Sequence, residues 1–514
     1  MNSKKEKYII STDLGSQSIK TAIYNGDGNS IASYNKDSNI ISLSDGSMVY
    51  DGIVSFNQVI ENIKNILSIS KVNSKNIECL SFTGMGAGII GIDKDWSPTT
   101  YFMSPLDKRS QYFLVKVINQ YGDFIRLKSG TDNPAGVNYL LWLKNQYPEI
   151  YKKTLKFMPL THFVQGLLSG LKSAKAFWEN TSVSFSGLYN ALKDCWLEEI
   201  FSELKLNINK MPRIVEPATI IGYLSRKSAD LCGLKNGIPV SAGAYDKVCD
   251  SLAANINKVG SVIDNAATYS ALLVGVKDFT PDLKYKTLLC HRSAVKGLWL
   301  THTYIIGCGI THKWLLENFF EYIAKDKKNY KILDKLASET EPGSRKLFFI
   351  PHLGGQATPY DPFVKGSWVG ISWFHKNKHF YRSFLESVAY EHYYSLQIVK
   401  KNYTDIKFNN VCVIGGGSKS NIWNQIKSDV LGLNYLLFNR DDLTTLGAAL
   451  IGGKAIGLYQ DLKDVAKKCI QVKRVYHPNN DNKKIYRKYF KSYSELLRNL
   501  KNFYSHTKKY ESNI

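Results

Sequence analysis

Short apolar runs separated by turn signals open the chain and predict a meander of strands. The runs cover residues 8–14, 19–24 and 31–34, and Gly26-Asp27-Gly28 marks the second turn between them. A helical period over 56–69 and a buried strand over 77–82 follow. Strands in a meander that then alternate with helices predict an α/β domain with a mixed sheet.

The second half of the chain repeats this arrangement. Strand patterns recur at 261–266, 270–274 and 298–305, and an alternation of helices and strands continues at 380–400, 411–414, 421–431, 435–438 and 443–456. Residues 138–235 between the two halves have a mostly helical pattern. We therefore predict two α/β lobes, residues 1–250 and 251–514, that share a long cleft.

Length and composition agree with large packed cores. The chain has 514 residues, of which 44% are hydrophobic and 22% charged, which excludes collagen-like and wholly disordered classes. No run approaches the roughly 18 apolar residues that span a bilayer. Eight scattered cysteines without a CxxC pair indicate reduced core thiols. These features predict a cytoplasmic protein without a membrane segment.

The net charge of +23 leaves two interpretations open. A polyanion such as nucleic acid could be the partner, or lysine-rich composition could be spread over solvated faces. The basic residues form no single stripe, and apolar residues recur at helical spacing in the basic C-terminal segment, at Tyr486, Phe490, Tyr493 and Leu497. A docked terminal helix explains this spacing as well as an RNA-binding tail would, and for the whole chain we expect no specific nucleic-acid partner.

Asp13-Leu14-Gly15-Ser16-Gln17-Ser18-Ile19-Lys20 ends one strand, turns and begins the next. Gly15 permits close approach of a phosphate, and Ser16 and Ser18 place hydroxyls beside exposed amides. A carboxylate at Asp13 would repel phosphate unless a cation such as Mg²⁺ lay between them. An ordinary hairpin can also carry Asp-x-Gly, so both interpretations stay open. Ala267-Thr268-Tyr269 occupies the equivalent turn of the second meander.

Two glycine-rich segments follow apolar strands. Gly415-Gly416-Gly417-Ser418-Lys419-Ser420 opens a helix near Asn421, and glycines at such a turn let a ligand approach the backbone. The segment lacks the Gly-Lys-Ser/Thr of a Walker A motif. The cluster at Gly84 to Gly88 lacks the spacing of a dinucleotide fingerprint, which argues against a nicotinamide site.

Asp246 follows the strand that ends near Gly243, close to the predicted junction of the lobes. A carboxylate there would accept a proton from an attacking hydroxyl. It would equally serve as the N-cap of a helix over Lys247 to Ala254. Local sequence does not separate these two roles.

Taken in order, these segments resemble the FGGY family of carbohydrate kinases, within the actin-like ATPase superfamily. The resemblance spans nearly the whole chain and is carried by Asp13–Lys20, Gly243–Asp246, Pro351-His352-Leu353-Gly354-Gly355 with Gly366 and Gly370, Gly415–Ser420 with Trp423, and Leu446-Gly447-Ala448-Ala449. It implies two ribonuclease-H-like lobes with mixed sheets around a central cleft, and phosphorylation of a sugar hydroxyl by MgATP.

The resemblance also implies roles for individual residues. Asp246 matches the catalytic base, and Asp13 matches the carboxylate near Mg²⁺. The positions that match ATP-binding segments are Gly15, Ser16, Lys20, Thr268, Gly309, Gly417, Ser418 and Asn421. The positions that match sugar-binding segments are Met85, Ala87, Asp107 and Arg109, together with Asp246.

Several positions depart from the family pattern, mostly in the sugar pocket. The Gln-Met-His-Gly of xylulose kinases is Met85-Gly86-Ala87-Gly88 here, without the histidine, and the Arg-Glu of glycerol kinases is absent. A Gly-Thr-Ser turn is Ala267-Thr268-Tyr269. The departures leave three hypotheses: a kinase for a pentulose such as D-xylulose or for another ketose or polyol, a non-catalytic ATP or sugar sensor, and a nucleic-acid-binding protein. Helical surface in the second lobe would suit a homodimer.

Overall fold

The computed structural model describes residues 6–325 and 329–511, with side chains described up to residue 506. The chain forms two compact units. The first comprises Met1–Asn257, Cys290–Trp299 and Asp442–Ile470, and the second comprises Lys258–Leu289, Leu300–Asp441 and Gln471–Ile514. The predicted division at residue 250 lies close to the first crossing between units. It did not anticipate that residues 442–470 belong to the first unit.

The first unit is built on a six-stranded mixed sheet. Its strands, in spatial order, are Ile220–Tyr223, Pro239–Ser241, Ile77–Gly84, Tyr8–Leu14, Ser18–Asn25 and Ser30–Asp37. The last three pair antiparallel as the predicted meander, whereas Tyr8–Leu14, Ile77–Gly84 and Pro239–Ser241 run parallel. The carboxyl ends of these three parallel strands therefore meet at one edge of the sheet.

Smaller sheets complete the strands of the first unit. They pair Ile40–Ser42, Met48–Tyr50 and Phe102–Met103; Ile90–Ile92 and Lys156–Met158; Phe177–Glu179 and Arg213–Val215; and Tyr189–Asn190 and Cys195–Trp196. The α-helices of this unit are Gly52–Ser70, Gln111–Ser129, Val137–Gln146, Pro148–Lys153, Leu160–Leu168, Glu198–Glu203, Arg226–Cys232, Asp246–Ala253, Leu443–Ala455 and Leu462–Cys469.

Strands and helices of the first unit share one apolar core. Ile10, Leu80 and Val240 from the central strands pack with Ile63 and Phe163 from the helices Gly52–Ser70 and Leu160–Leu168. Continuous apolar runs form these strands because both faces of parallel strands are covered. The core holds the carboxyl edge of the sheet rigidly in place.

The second large sheet has seven strands, most of them in the second unit. Its strands, in spatial order, are Leu289–Arg292, Trp299–Ile305, Ser270–Val276, Val262–Ala266, Asn410–Ile414, Asn434–Phe438 and Val472–Tyr476. A two-stranded sheet pairs Phe348–Ile350 with Ser367–Val369. The α-helices are Gly309–Phe319, Glu321–Ala324, Asn329–Ser338, Asn377–Asn402, Asn421–Leu431 and Asn480–Glu511. A meander next to parallel strands repeats the arrangement of the first sheet, as predicted.

The basic terminal segment forms a docked helix, Asn480–Glu511, which is one of the two interpretations that its sequence left open. Tyr486 and Tyr493 are buried, and their hydroxyls donate to Glu386 at 2.9 Å and Glu391 at 2.6 Å. Arg382 donates to the Tyr486 hydroxyl at 2.7 Å. These buried bonds attach the helix to Asn377–Asn402 within the second unit.

One sequence prediction was wrong. Residues 138–235 are not mostly helical, because they also contribute six short strands, among them Phe177–Glu179 and Ile220–Tyr223. Apolar residues buried on both faces of such short strands give no clear period of two. The eight cysteines, all within the described residues, form no disulfide, as predicted, although Cys195 is exposed and does not belong to the core. Within residues 6–325 and 329–511 we find no helix long and apolar enough to cross a membrane.

Candidate active site

Three carboxylates gather at the carboxyl edge of the first sheet. Asp13 lies near the end of Tyr8–Leu14, and Asp246 and Asp250 lie one turn apart on the helix Asp246–Ala253, which follows Pro239–Ser241. Lys247 pairs with Asp246 at 3.2 Å and with Asp250 at 3.4 Å. Lys20 lies opposite Asp13 in the hairpin register. The edge therefore has more acidic than basic groups.

The environment raises the pKa values of two of these carboxyls. Burial, and then the negative charges of Asp246 and Asp250, raises the pKa of Asp13 to about 7. Burial, and then Asp246, also raises the pKa of Asp250, against the effect of Lys247. Asp13 Oδ1 is buried and accepts no hydrogen bond from the described residues. Burying a carboxylate oxygen that accepts no hydrogen bond costs free energy, and a bound cation would offset that cost.

These residues fit a Mg²⁺ ion held in part by water. No group of three His, Cys, Asp or Glu side chains in the described part of the chain converges closely enough to enclose a metal. Mg²⁺ commonly keeps several waters and binds through one or two carboxylates plus substrate phosphates. The unpartnered Oδ1 of Asp13 offers such a ligand, and Asp246 supplies a second carboxylate nearby.

Asp246 is not the N-cap residue of its helix, so the structure excludes the capping role that the sequence left open for it. Tyr245 is the N-cap residue, and Asp246 is the first helical residue. Its side chain is one-third exposed, whereas that of Asp250 is nearly buried and accepts from the Thr444 hydroxyl at 2.6 Å. Asp250 is thus held by neighbours, while Asp246 keeps an accessible carboxylate.

Two glycines allow this packing. Gly243, before the Asp246 helix, has φ of +75°, and a Cβ there would lie 1.8 Å from the carbonyl oxygen of Phe82. Gly447 packs against the same helix, and its Cβ would lie 2.1 Å from the carbonyl oxygen of Cys249. Any side chain at either position would displace the helix that carries Asp246.

The turn between Tyr8–Leu14 and Ser18–Asn25 holds the predicted phosphate segment in a defined shape. Gly15 N–H donates to the carbonyl of Ser18 at 3.1 Å. Ser38 donates to the carbonyl of Gly15 at 2.8 Å, and Tyr50 donates to that of Ser16 at 3.1 Å. The amides of Ser16 and Gln17 have no acceptor among the described residues. The carbonyls of Gly15 and Ser16 are therefore hydrogen-bonded within the protein, whereas the N–H groups of Ser16 and Gln17 stay available for an anion.

A small cavity lies beside the Asp246 segment. It is lined by Gly84, Met85, Thr161, His162, Glu179, Ser182, Ala242, Ala244 and Tyr245. Met85 N–H donates to the carbonyl of Leu14 at 3.2 Å, which extends the sheet edge into this cavity. Ala87 is half-buried two residues further on. The structure thus brings Met85 and the segment before Asp246 together.

Asp107 and Arg109 form a closed pair instead. Arg109 donates to both carboxylate oxygens of Asp107, at 2.8 and 2.6 Å, and the Asp107 side chain has no exposed surface. The guanidinium stacks over Trp142 at 4.6 Å and lines a different cavity with Tyr147. Neither residue lines the cavity beside Asp246.

The second unit brings most of the predicted nucleotide-binding positions together around one turn. Gly309 N–H donates to the carbonyls of Ala267 and Thr268 at 3.1 and 3.0 Å. Gly415 has φ of +83°, and its Cβ would lie 2.8 Å from the carbonyl carbon of Ala266. A Cβ on Gly417 would contact the Ala266 side chain at the same distance. Glycine at these positions lets three segments meet at backbone distance.

Ser418 and Asn421 are placed differently within their segment. Ser418 is buried and donates to the carbonyl of Gly415 at 2.7 Å, so its hydroxyl shapes the glycine-rich turn. Asn421 begins the helix Asn421–Leu431, and its Oδ1 accepts from Tyr476 at 2.6 Å and Arg474 at 3.1 Å. The Asn421 amide nitrogen is the part left for a ligand.

Sequence reasoning missed Lys247, Asp250, His162, Glu179 and Thr444. Asp250 had a usable signal, since it lies four residues after Asp246 and therefore on the same helix face. His162 and Glu179 lie in segments without a recognisable motif, and only the fold brings them to the cavity. Thr444 precedes a motif segment but was expected in the other lobe.

Comparison with known proteins gives a consistent result across the chain. Residues 8–253 match the N-terminal domain, and residues 278–456 the C-terminal domain, of the FGGY family of carbohydrate kinases. A xylulose kinase of Bacillus subtilis is 24% identical over 98% of this chain and 97% of its own.

Two solved structures have the same fold. A gluconate kinase from Lactobacillus acidophilus superimposes with a TM-score of 0.89 at 24% identity, over 98% of this chain and 99% of its own. A ligand-bound xylulose kinase from the same organism superimposes with a TM-score of 0.88 at 24% identity, over 97% and 99%.

Proposed function

Because this chain belongs to the FGGY family of carbohydrate kinases, and is therefore a sugar kinase, we propose that it phosphorylates a ketose, with a pentulose such as D-xylulose as the first candidate. The observation that carries the proposal is Asp246, an accessible carboxylate beside a small cavity at the carboxyl edge of the sheet. The similarity to a xylulose kinase supports the substrate class.

In the proposed reaction, Asp246 acts as general base. It accepts the proton of the attacking sugar hydroxyl, the hydroxyl oxygen bonds to the γ-phosphorus of ATP, and ADP leaves. Lys247 pairs with Asp246 and Asp250. These two ion pairs would keep both carboxylates oriented at the carboxyl edge of the first sheet. Asp250 is fixed by Thr444 and positions Lys247.

The remaining groups neutralise charge and orient the phosphates. We assign Asp13 to Mg²⁺, which when bound supplies positive charge to the phosphate oxygens. Gly15, Ser16 and Lys20 would contact phosphate through the amides and ammonium of the first turn. In the second unit, Thr268, Gly309, Gly417, Ser418 and Asn421 are proposed to bind the nucleotide.

The proposal is tested by ADP release from MgATP with a panel of pentuloses, hexuloses, polyols and aldonates. We expect turnover of one ketose, and a loss of about 10²–10⁴-fold in kcat for Asp246→Asn. Asp230→Asn, on the helix Arg226–Cys232, is a control that should keep full activity. ATP binding without turnover of any sugar would favour a sensor instead.

Three further expectations stay predictions: a cytoplasmic location, a homodimer, and the absence of a specific nucleic-acid partner. The last is tested by RNA binding across a salt series. Binding that falls steeply between low and physiological salt, without sequence preference, would indicate charge attraction alone.

A further inference from the structure

Four large apolar side chains are exposed within six residues of the second unit, where the chain leaves the strand Ser367–Val369. Trp373 is fully exposed, Ile371 is 61% exposed and Phe374 is 49% exposed, and Val369 is the fourth. We call residues 369–374 the apolar loop. Contiguous apolar side chains in water are unfavourable, and such a cluster commonly marks a surface that binds another molecule.

Hydrogen bonds and one close backbone contact give the apolar loop a defined shape. Gly370 has φ of +92°, and a Cβ there would lie 2.5 Å from the carbonyl oxygen of Lys346. The Ser372 N–H donates to His375 Nδ1 at 2.9 Å, and the His375 N–H donates to the Ser372 carbonyl at 3.0 Å. His375 Nε2 lies 3.3 Å from the carbonyl oxygen of Arg345. The loop is thus fixed on both sides of its two aromatic residues, and their exposure follows from its backbone shape.

Basic residues predominate in the two segments that adjoin the apolar loop. Residues 339–346 and 375–378 contain four basic and two acidic side chains: Arg345, Lys346, Lys376 and Lys378, and Glu339 and Glu341. Arg345 pairs with Glu341 at 2.6 Å. Lys346 and Lys376 are exposed, and neither has an acidic partner within ion-pair distance among the described residues. The surface beside the loop is therefore positively charged.

The basic terminal helix Asn480–Glu511 adds positive charge at the same place. The ring of Tyr489 on this helix packs against that of Phe348, with 6.0 Å between the centroids. Phe348 pairs in the two-stranded sheet with Val369, the first residue of the apolar loop. Lys488, which precedes Tyr489, is exposed. Positive charge thus extends from the segments beside the loop onto the terminal helix.

We propose that the apolar loop inserts into the interface of an anionic lipid bilayer, so that the protein binds a membrane surface reversibly without crossing it. Trp is enriched where lipid meets water, because its ring is apolar while its N–H group still finds an acceptor there. Lys and Arg beside the inserted side chains attract anionic headgroups. The two features act together, since apolar insertion and charge attraction add to the affinity of a peripheral protein. The proposal is independent of the sugar that the kinase phosphorylates.

Charge and side-chain type favour lipid over two other occupants of the loop. A second copy of this chain would also carry a net charge of +23, and contact between two such loops would bring their basic surroundings together. Single-stranded nucleic acid stacks on aromatic rings. Two of the four exposed apolar residues, Val369 and Ile371, are aliphatic and offer no ring for a base. Lipid hydrocarbon accepts aliphatic and aromatic side chains alike.

Co-sedimentation of the full chain with lipid vesicles tests the proposal. We expect binding to vesicles of phosphatidylglycerol and phosphatidylcholine in equal parts, and binding about tenfold weaker or less to phosphatidylcholine alone. Trp373→Ser should lower the partition coefficient on the anionic vesicles about tenfold. The control Tyr112→Ser removes an exposed aromatic side chain from the helix Gln111–Ser129 and should leave the coefficient unchanged. No binding to the anionic vesicles, or equal losses in the two variants, would overturn the proposal.

Charge reversal separates attraction at the loop from the overall charge of the chain. Lys346→Glu combined with Lys376→Glu should weaken binding to the anionic vesicles about 100-fold. Lys467→Glu combined with Lys468→Glu is the matched control, because both lysines are exposed on the helix Leu462–Cys469 and the net charge changes by the same amount. Its effect should be about threefold or less. Equal losses in the two double variants would show general charge attraction and overturn the proposal.

Tryptophan fluorescence reports insertion of the loop directly. On addition of the anionic vesicles, the emission of the wild type should shift to shorter wavelength, because the exposed Trp373 ring leaves water. Trp373→Phe keeps an apolar ring at this position and should still bind the vesicles without the shift. A shift of equal size in Trp373→Phe would overturn insertion of the loop.

Two measurements without vesicles identify the other occupants. Analytical ultracentrifugation gives the oligomeric state, and RNA binding is measured at physiological salt. A dimer or an RNA complex that is lost in Trp373→Ser, together with no vesicle binding by the wild type, would assign the loop to that partner and overturn the proposal. Thermal unfolding of Trp373→Ser should match that of the wild type, because the replaced side chain is exposed.

Discussion

The two predicted phosphate turns have the same place in their sheets but different chemistry. The turn at Gly15–Gln17 follows a buried carboxyl, Asp13, and precedes Lys20. The turn at Ala267–Tyr269 carries no charged side chain and is held by the amide of Gly309. In both turns central amides, those of Ser16 and Thr268 among them, have no acceptor in the described part of the chain.

The difference indicates a division of labour. The first turn combines amide donors with the charged side chains of Asp13 and Lys20, which suits a metal–phosphate complex. The second turn depends on close backbone packing, with Gly309 and Gly415 approaching Ala266 to Thr268. Changes of charge should therefore affect the first turn most, and changes of volume the second.

Among changes to the two turns and the residues that flank them, Asp13→Asn should have the largest effect. The change keeps the shape but removes the charge proposed to bind Mg²⁺, so kcat should fall about 100-fold or more. The control Asp37→Asn changes an exposed strand carboxylate of the same unit and should retain activity. Undiminished turnover by Asp13→Asn would remove Asp13 from the metal site.

The same variant should be more stable than the wild type without Mg²⁺. The pKa of Asp13 is about 7 in the folded state, against 3.8 for an unperturbed aspartate carboxyl. Its ionisation therefore disfavours folding, and the wild type loses stability relative to the variant as pH rises from about 4 to 7. At pH 8 we expect the free energy of unfolding of Asp13→Asn to exceed that of the wild type by about 1–3 kcal/mol. At pH 4 the two proteins should differ little. Urea unfolding at both pH values measures this.

A smaller effect is expected from Gly309→Ala at the second turn. A Cβ at Gly309 would lie 2.7 Å from the carbonyl oxygen of Ala267, so the turn must shift. We expect KM for ATP to rise about tenfold and KM for sugar to stay unchanged, which initial-rate kinetics would show. Gly26→Ala, which has open space around it, is the control. A rise in the sugar KM instead would contradict the assignment.

The smallest effect is expected from Ala267→Gly. Ala267 stands where the family pattern has glycine, and removing its methyl group should lower KM for ATP by no more than about threefold. Titration of nucleotide by calorimetry would check the same change in affinity. A gain of tenfold or more would mean that Ala267 restricts ATP binding in the wild type.

Much of this fold follows from local pattern. Asn421–Leu431 was predicted to the residue, because its apolar period and the capping Ser420 agree. The two meanders were also predicted, since alternating apolar runs and small turn residues specify strands locally. The helical prediction for 138–235 failed because short strands there, such as Tyr189–Asn190, are specified by long-range pairing and not by period.

The candidate site divides in the same way. Asp246 and Asp13 were predicted from motif order, and the backbone geometry excludes only the N-cap role of Asp246. Its role as general base stays a prediction. Asp107 and Arg109 were predicted as sugar contacts, and this stays a prediction, but in the structure they pair with each other. A match to a motif indicates which residue stands at a site position. It does not show which other groups the side chain of that residue contacts.

By itself the sequence determined the strands and helices around each turn, the order of the motifs and the kinase family, because these depend on neighbouring residues. Only the tertiary structure decided that Asp13, Asp246 and Asp250 share one edge, that residues 442–470 pack in the first unit, and that His162 meets Met85. These outcomes depend on burial and on contacts between residues far apart in the chain, which also raise the pKa of Asp13.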